Sequence, residues 1–229
     1  MNGIVKKIVS IVLLFVIAGL VYAIVQSVMQ PVNFNKQMEF RKTAGIQRMK
    51  DLRTLQEAYK SVYGRFAPSA DSLADFYKNG QMEIVMQIGS KDDSAAVANT
   101  EKLKKTHRGI TPEQMFKLYQ EGENLVFAIS SKINVKDTIF NSRKDFSIDS
   151  LRYIPYSQGD TILMEAIIKE VSGVKVSLFE AKMPYKSLLK GLDNQLRINL
   201  DADCRASNRY EGLQVGSISA PNNNAGNWE

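Results

Sequence analysis

The chain has 229 residues, 44% hydrophobic and 24% charged, which is enough for a real core and too apolar for wholesale disorder. Its 30 Lys and Arg against 24 Asp and Glu give +6, spread as a mixed surface rather than a nucleic-acid-binding stripe. One cysteine, Cys204, excludes an intramolecular disulfide and any multi-cysteine metal site.

Residues 8–29 are almost continuously apolar, and no charge falls between Lys7 and Lys36. A membrane span needs roughly 20 such residues, so this run predicts a single anchor in a lipid bilayer. Lys6 and Lys7 precede the run, and the nearest positive charges beyond it are Lys36 and Arg41. Positive residues stay cytoplasmic, which predicts the N-terminus inside and the bulk of the chain outside, with Tyr22 near the outer interface. The competing reading is a cleaved signal peptide ending at Val21-Tyr-Ala23. The run continues past that site, which favours a retained signal anchor. The expected division is a cytoplasmic stub and anchor over 1–30, a folded domain over 31–219 and a flexible tail over 220–229.

Pro31 predicts a stop or kink in the membrane helix. A second helix is expected over residues 35–63, about 40 Å long. Met49, Leu52, Leu55, Tyr59 and Val62 fall at spacings of three and four, one stripe on that helix. The stripe suits a core face first and a protein-interaction surface second. Its heptads are too few for a zipper. Gly64 suits the left-handed cap that ends such a helix.

Ser69-Ala-Asp71 caps a short helix reaching about Tyr77, and residues 83–88 read as a strand. Residues 89–109 are polar and charged, and predict a mobile loop holding the lone histidine, His107. The basic stretch from Lys102 to Arg108 lacks interleaved aromatics, so no nucleic acid is expected. Thr111-Pro-Glu-Gln114 begins a helix that ends near Gly122. Four strands follow, over residues 125–133, 146–153, 161–169 and 174–182, the last pair forming a hairpin around Ser172-Gly173. A short helix is expected over 186–192. The predicted class is α+β: an N-terminal transmembrane helix, then a long amphipathic helix packed on an antiparallel sheet.

Phosphate-cradling glycine loops, nucleophile elbows and paired metal ligands are missing from the sequence, so no enzyme and no cofactor is expected. Asp201-Ala-Asp203 beside Cys204 reads as solvated carboxylates in a polar loop. Trp228, the only tryptophan, lies either in a disordered tail or in a docking peptide. A small-molecule ligand is left open.

The stretch Tyr59-Lys-Ser-Val-Tyr-Gly-Arg-Phe-Ala-Pro-Ser-Ala-Asp-Ser-Leu73 resembles the end of the long helix and the following turn in type IV pilins and type II secretion pseudopilins. The resemblance implies a pilin-like architecture. Pilin subunits carry a glutamate early in the apolar helix, whereas the first acidic residue here is Glu39. An anchored, non-polymerising relative therefore fits better than a fibre subunit. The stretch from Tyr210 to Glu229 is similar to the ending of an uncharacterised single-pass membrane protein family of Bacteroidota. That resemblance implies an envelope location in a Gram-negative cell and assigns no activity; with the orientation of the anchor, the expected address is the inner membrane with a periplasmic domain. The combined expectation is a non-enzymatic scaffold or docking component with an envelope protein partner. A pilin-like subunit and an exported ligand-binding domain or enzyme stand as alternatives.

Overall fold

A computed structural model describes residues 3–229, with the side chains of residues 4–8 set apart. Met1 and Asn2, the start of the expected cytoplasmic stub, lie outside the described residues, as do the side chains of Lys6 and Lys7. The fold is mixed α+β, a long N-terminal helix followed by small antiparallel sheets.

Helix α1 runs without interruption over Gly3–Tyr63. The stop expected at Pro31 does not occur. Proline removes a single backbone donor, and the apolar run before it and the buried Phe34 after it keep both flanks helical. The helix ends where predicted. Gly64 takes φ +71° and its N–H bonds the Lys60 carbonyl at 2.8 Å.

The chain divides into two compact units, where a single folded domain is expected over 31–219. One unit holds α1 up to Thr54 and Asp149–Glu229; the other is Leu55–Ile148.

In the second unit, α2 (Ala70–Asn79) is capped by Ser69, whose hydroxyl accepts from Ser72 N. Strand β1 (Gln81–Ile88) pairs antiparallel with β2 (Phe127–Asn134), Gln81 opposite Asn134 and Ile88 opposite Phe127. Between them lie α3 (Ser94–Thr106) and α4 (Pro112–Gln120), the latter opened by a capping box of Thr111 and Gln114. The loop expected over 89–109 is thus mostly helix. Asp93 caps α3 through Ala95 N and Ala96 N, and the buried Thr100 Oγ1 accepts from Val126 N at 2.8 Å. Leu103 packs on the small core of Met115, Leu125 and Phe127. Polar composition hid this helix because only a few of its residues face inward. A single turn, α5 (Val135–Thr138), follows β2.

The turn α6 (Ile148–Leu151) stands where a strand was expected over 146–153. Only Tyr153 pairs there, bridging Thr161. A short apolar run cannot by itself distinguish strand from helix. Strands β3 (Leu163–Val171) and β4 (Val174–Pro184) then form the expected hairpin, with Ser172 at φ +52° and Gly173 at φ +80°. After α7 (Tyr185–Leu188) and α8 (Asn194–Ala206), β5 (Gly212–Gly216) returns antiparallel to β4, giving the order β3-β4-β5. As the central strand, β4 buries four successive residues, Leu178 to Ala181. Helix α1 lies close on this sheet at Gly45. A Cβ there would stand 2.7 Å from Leu213 Cδ1 and 3.1 Å from Met183 Sδ.

Candidate functional site

The apolar part of α1 is bare. From residue 9 to residue 29 every side chain is exposed, and the large hydrophobics among them range from 45% at Met29 to 70% at Phe15. So much unpaired apolar surface fits a bilayer rather than water. The helix is long and apolar enough to cross a membrane once, as a transmembrane or signal-anchor helix does. Immediately beyond this run, Gln30 Nε2 donates to Asp193 Oδ2 at 2.6 Å, and Phe34 is buried.

The stripe singled out on α1 faces mostly inward. Met49, Leu52 and Leu55 are fully buried, which places them in the core. Tyr59 is half-buried, with ring centroids 4.5 Å from Tyr63 and 5.2 Å from Phe76. Val62 alone among the five is exposed. Sequence periodicity missed Gln56, which is as deeply buried as its apolar neighbours. Its side chain accepts from Ala67 N at 2.8 Å and donates to Ala67 O at 3.1 Å.

The expected flexible tail is instead pinned to β5. Gly216 N donates to Ala225 O, Asn227 N to Gln214 O, and Asn227 Nδ2 to Gly212 O. Arg53 Nη1 reaches Glu229 Oε1 at 2.7 Å. Asn223 and Asn224 both take φ +56°, a conformation asparagine tolerates, and so turn the chain back. Composition concealed this role, since backbone pairing needs no aliphatic side chains. Trp228 is half-buried, and its indole N–H is buried without an acceptor.

The polar loop expected around Asp201-Ala-Asp203 is the second half of α8. Asp201 and Cys204 face inward and Asp203 outward. A cleft of about 610 Å³ opens along this helix. It is lined by Lys186, Arg197, Asp201, Arg205, Arg209 and Glu211, with Tyr210 as an aromatic wall. Two ion pairs form among these residues: Arg197 to Asp201 Oδ2 at 2.5 Å, one turn apart on α8, and Arg205 to Glu211 at 2.9 Å. The other Asp201 oxygen, Oδ1, is buried with no hydrogen-bond partner.

No protein-family model, curated protein or solved structure matches the chain. Burial pushes the Cys204 thiol up, away from the nucleophilic thiolate, with nearby Arg209 only partly offsetting it. Burial likewise pushes Tyr185 up to about 12. Asp201 is raised by burial against the opposing pull of Arg197. Among the described residues no three His, Cys, Asp or Glu side chains gather as metal ligands. The cleft presents exposed cations beside an aromatic wall, with the Asp201 carboxylate largely buried behind its pairing with Arg197.

Proposed function

We propose that this chain is a single-pass protein of the Gram-negative inner membrane, with a cytoplasmic N-terminus and a periplasmic folded part. It serves there as a non-enzymatic scaffold or docking component for an envelope partner. The observation that carries the reading is the contact between Gln30 and Asp193, directly after the bare apolar run. No flexible linker separates the lipid-facing part of α1 from its packed part, so the folded surface is held at the bilayer rather than on a tether. The charge asymmetry of Lys6 and Lys7 against Lys36 supports the orientation. A pilin-like subunit is the second reading, favoured by the positive-φ glycine turn at Gly64 and opposed by the lack of any acidic residue before Glu39.

Intact mass of the protein recovered from membranes separates the readings. A value near 25.7 kDa supports the retained anchor. Loss of three residues favours the pilin-like subunit, and loss through Ala23 means a released domain. In-cell crosslinking then tests the docking role, which fails if no protein partner is captured.

A further inference from the structure

Beside the α8 cleft, and sharing Arg209 and Tyr210 with it, is a smaller cavity of about 220 Å³. Ile46 of α1 and Leu213 of β5 give it apolar walls, and Tyr185, Tyr210 and Trp228 give it aromatic ones. All of these residues belong to one compact unit. Tyr185 is only 8% exposed. Its hydroxyl makes no hydrogen bond among the described residues, yet it is not sealed from solvent as Trp228 Nε1 is. Burial holds this phenol up at about 12, so at neutral pH it is an O–H donor without an acceptor.

The charges that line the cavity do not cancel. Glu39 and Lys42 pair with each other at 3.6 Å. Arg209 is exposed and forms no ion pair among the described residues, which leaves one positive charge unmatched. An exposed arginine alone is ordinary. Here it shares a cavity with a buried, unpaired hydroxyl, and both groups call for an oxygen acceptor. A cation is repelled by Arg209, and a phosphate dianion brings more charge than one guanidinium balances. A carboxylate brings one charge and accepts from both groups. The volume is below the roughly 300–1,000 Å³ of drug-sized sites, so the ligand is small, and the walls suit an aromatic body.

We propose that this cavity binds a small aromatic monocarboxylate, its carboxylate received by Arg209 and the Tyr185 hydroxyl and its ring by the aromatic walls. The inference goes beyond the docking role and does not depend on it or on the orientation of the anchor. Two sources present this chemistry: a free aromatic acid and the C-terminal residue of a peptide. They differ beside the carboxylate, where a chain end carries an amide. Trp228, the only tryptophan, forms one wall of the cavity, so its emission reports occupancy.

The test titrates the full chain in detergent micelles with 3-phenylpropionate, 3-phenylpropionamide and inorganic phosphate, reading Trp228 emission. N-Acetyltryptophanamide in the same micelles supplies the blank. The acid is expected to give a saturable change and to bind at least tenfold more tightly than the amide or phosphate. Tyr185→Phe, which removes only the hydroxyl, and Arg209→Ala, at an exposed position, each weaken it about tenfold. Lys186→Ala removes an equal charge from the neighbouring cleft and leaves the affinity unchanged. The proposal is overturned if the amide binds as tightly, if neither cavity variant changes the affinity, if Lys186→Ala weakens it equally, or if no saturable change appears. N-Acetylphenylalanine then assigns the source. Binding as tight as that of the free acid identifies a chain terminus; binding at least tenfold weaker identifies a free acid.

Discussion

Asp193 serves two partners with its two oxygens: Oδ1 accepts from Leu196 N at 2.9 Å, capping α8, and Oδ2 accepts from Gln30 Nε2 at 2.6 Å. Asp193→Ala loses both and is expected to destabilise the folded chain by about 1 kcal/mol, the usual worth of an N-cap. Gln30→Ala loses only an exposed hydrogen bond and costs about 0.5 kcal/mol or less. The Leu196 N–H, and then Gln30, hold the Asp193 carboxyl below the usual aspartate range. A depressed carboxylate contributes stability above its ordinary pKa that is lost as pH falls through the folded value. Melts of Asp193→Asn should therefore depend less on pH below about 4 than those of the parent chain. Equal acid sensitivity in the two proteins removes Asp193 from this account.

Gln56 gives a larger effect for a different reason. Its amide closes a two-way pairing with the backbone of Ala67, and both residues are completely buried. Gln56→Leu leaves a buried N–H and a buried carbonyl without partners, at roughly 1–3 kcal/mol each before any local relaxation. Denaturant unfolding should show a loss of about 2 kcal/mol or more, despite the added apolar volume. A loss under about 0.5 kcal/mol would mean that water replaces the amide.

Gln56 also marks where sequence reasoning stopped. The apolar spacing of Met49, Leu52 and Leu55 identified the inward face of α1, and the Ser172-Gly173 pair identified the hairpin. Both rest on local periodicity or backbone preference, which residue type reports directly. Elements secured by pairing with distant backbone were invisible, because asparagine in the tail and threonine in α3 look the same whether solvated or paired. The cleft was hidden in the same way. Asp201 lies eight positions before Arg209, with the end of α8 and a turn between them, so their shared lining of one cleft is a property of the fold and not of local spacing.

The approach of α1 to the sheet at Gly45 sets a size limit. The atoms nearest an added Cβ are the tips of Leu213 and Met183, which can move, and alanine gains about 1 kcal/mol of helix propensity over glycine. Gly45→Ala should therefore lie within about 1 kcal/mol of the parent. Gly45→Leu cannot be accommodated by moving side-chain tips alone and is expected to cost about 1–3 kcal/mol. Thermal melts of the two variants check the contrast, and a leucine variant as stable as the alanine one would refute close packing here.

The tail offers the most direct optical test, because Trp228 is the only tryptophan and lies one residue from the ion-paired Glu229. Arg53 donates to both Glu229 Oε1 and the Asn224 carbonyl, at 2.7 and 3.3 Å. Arg53→Ala removes both contacts and is expected to shift Trp228 emission to the red as the indole becomes hydrated, while Glu229→Gln weakens only the first and shifts it less. The Arg53 guanidinium holds the Glu229 carboxyl below the usual glutamate range. Docking through this pair is therefore strongest above that range and is lost as pH falls through the depressed folded value. Acidification below about 4 should reproduce part of the red shift in the parent chain and add little in Arg53→Ala. If emission stays blue in Arg53→Ala at neutral pH, the pairing of Asn227 and Ala225 with β5 suffices to hold the tail without the salt bridge.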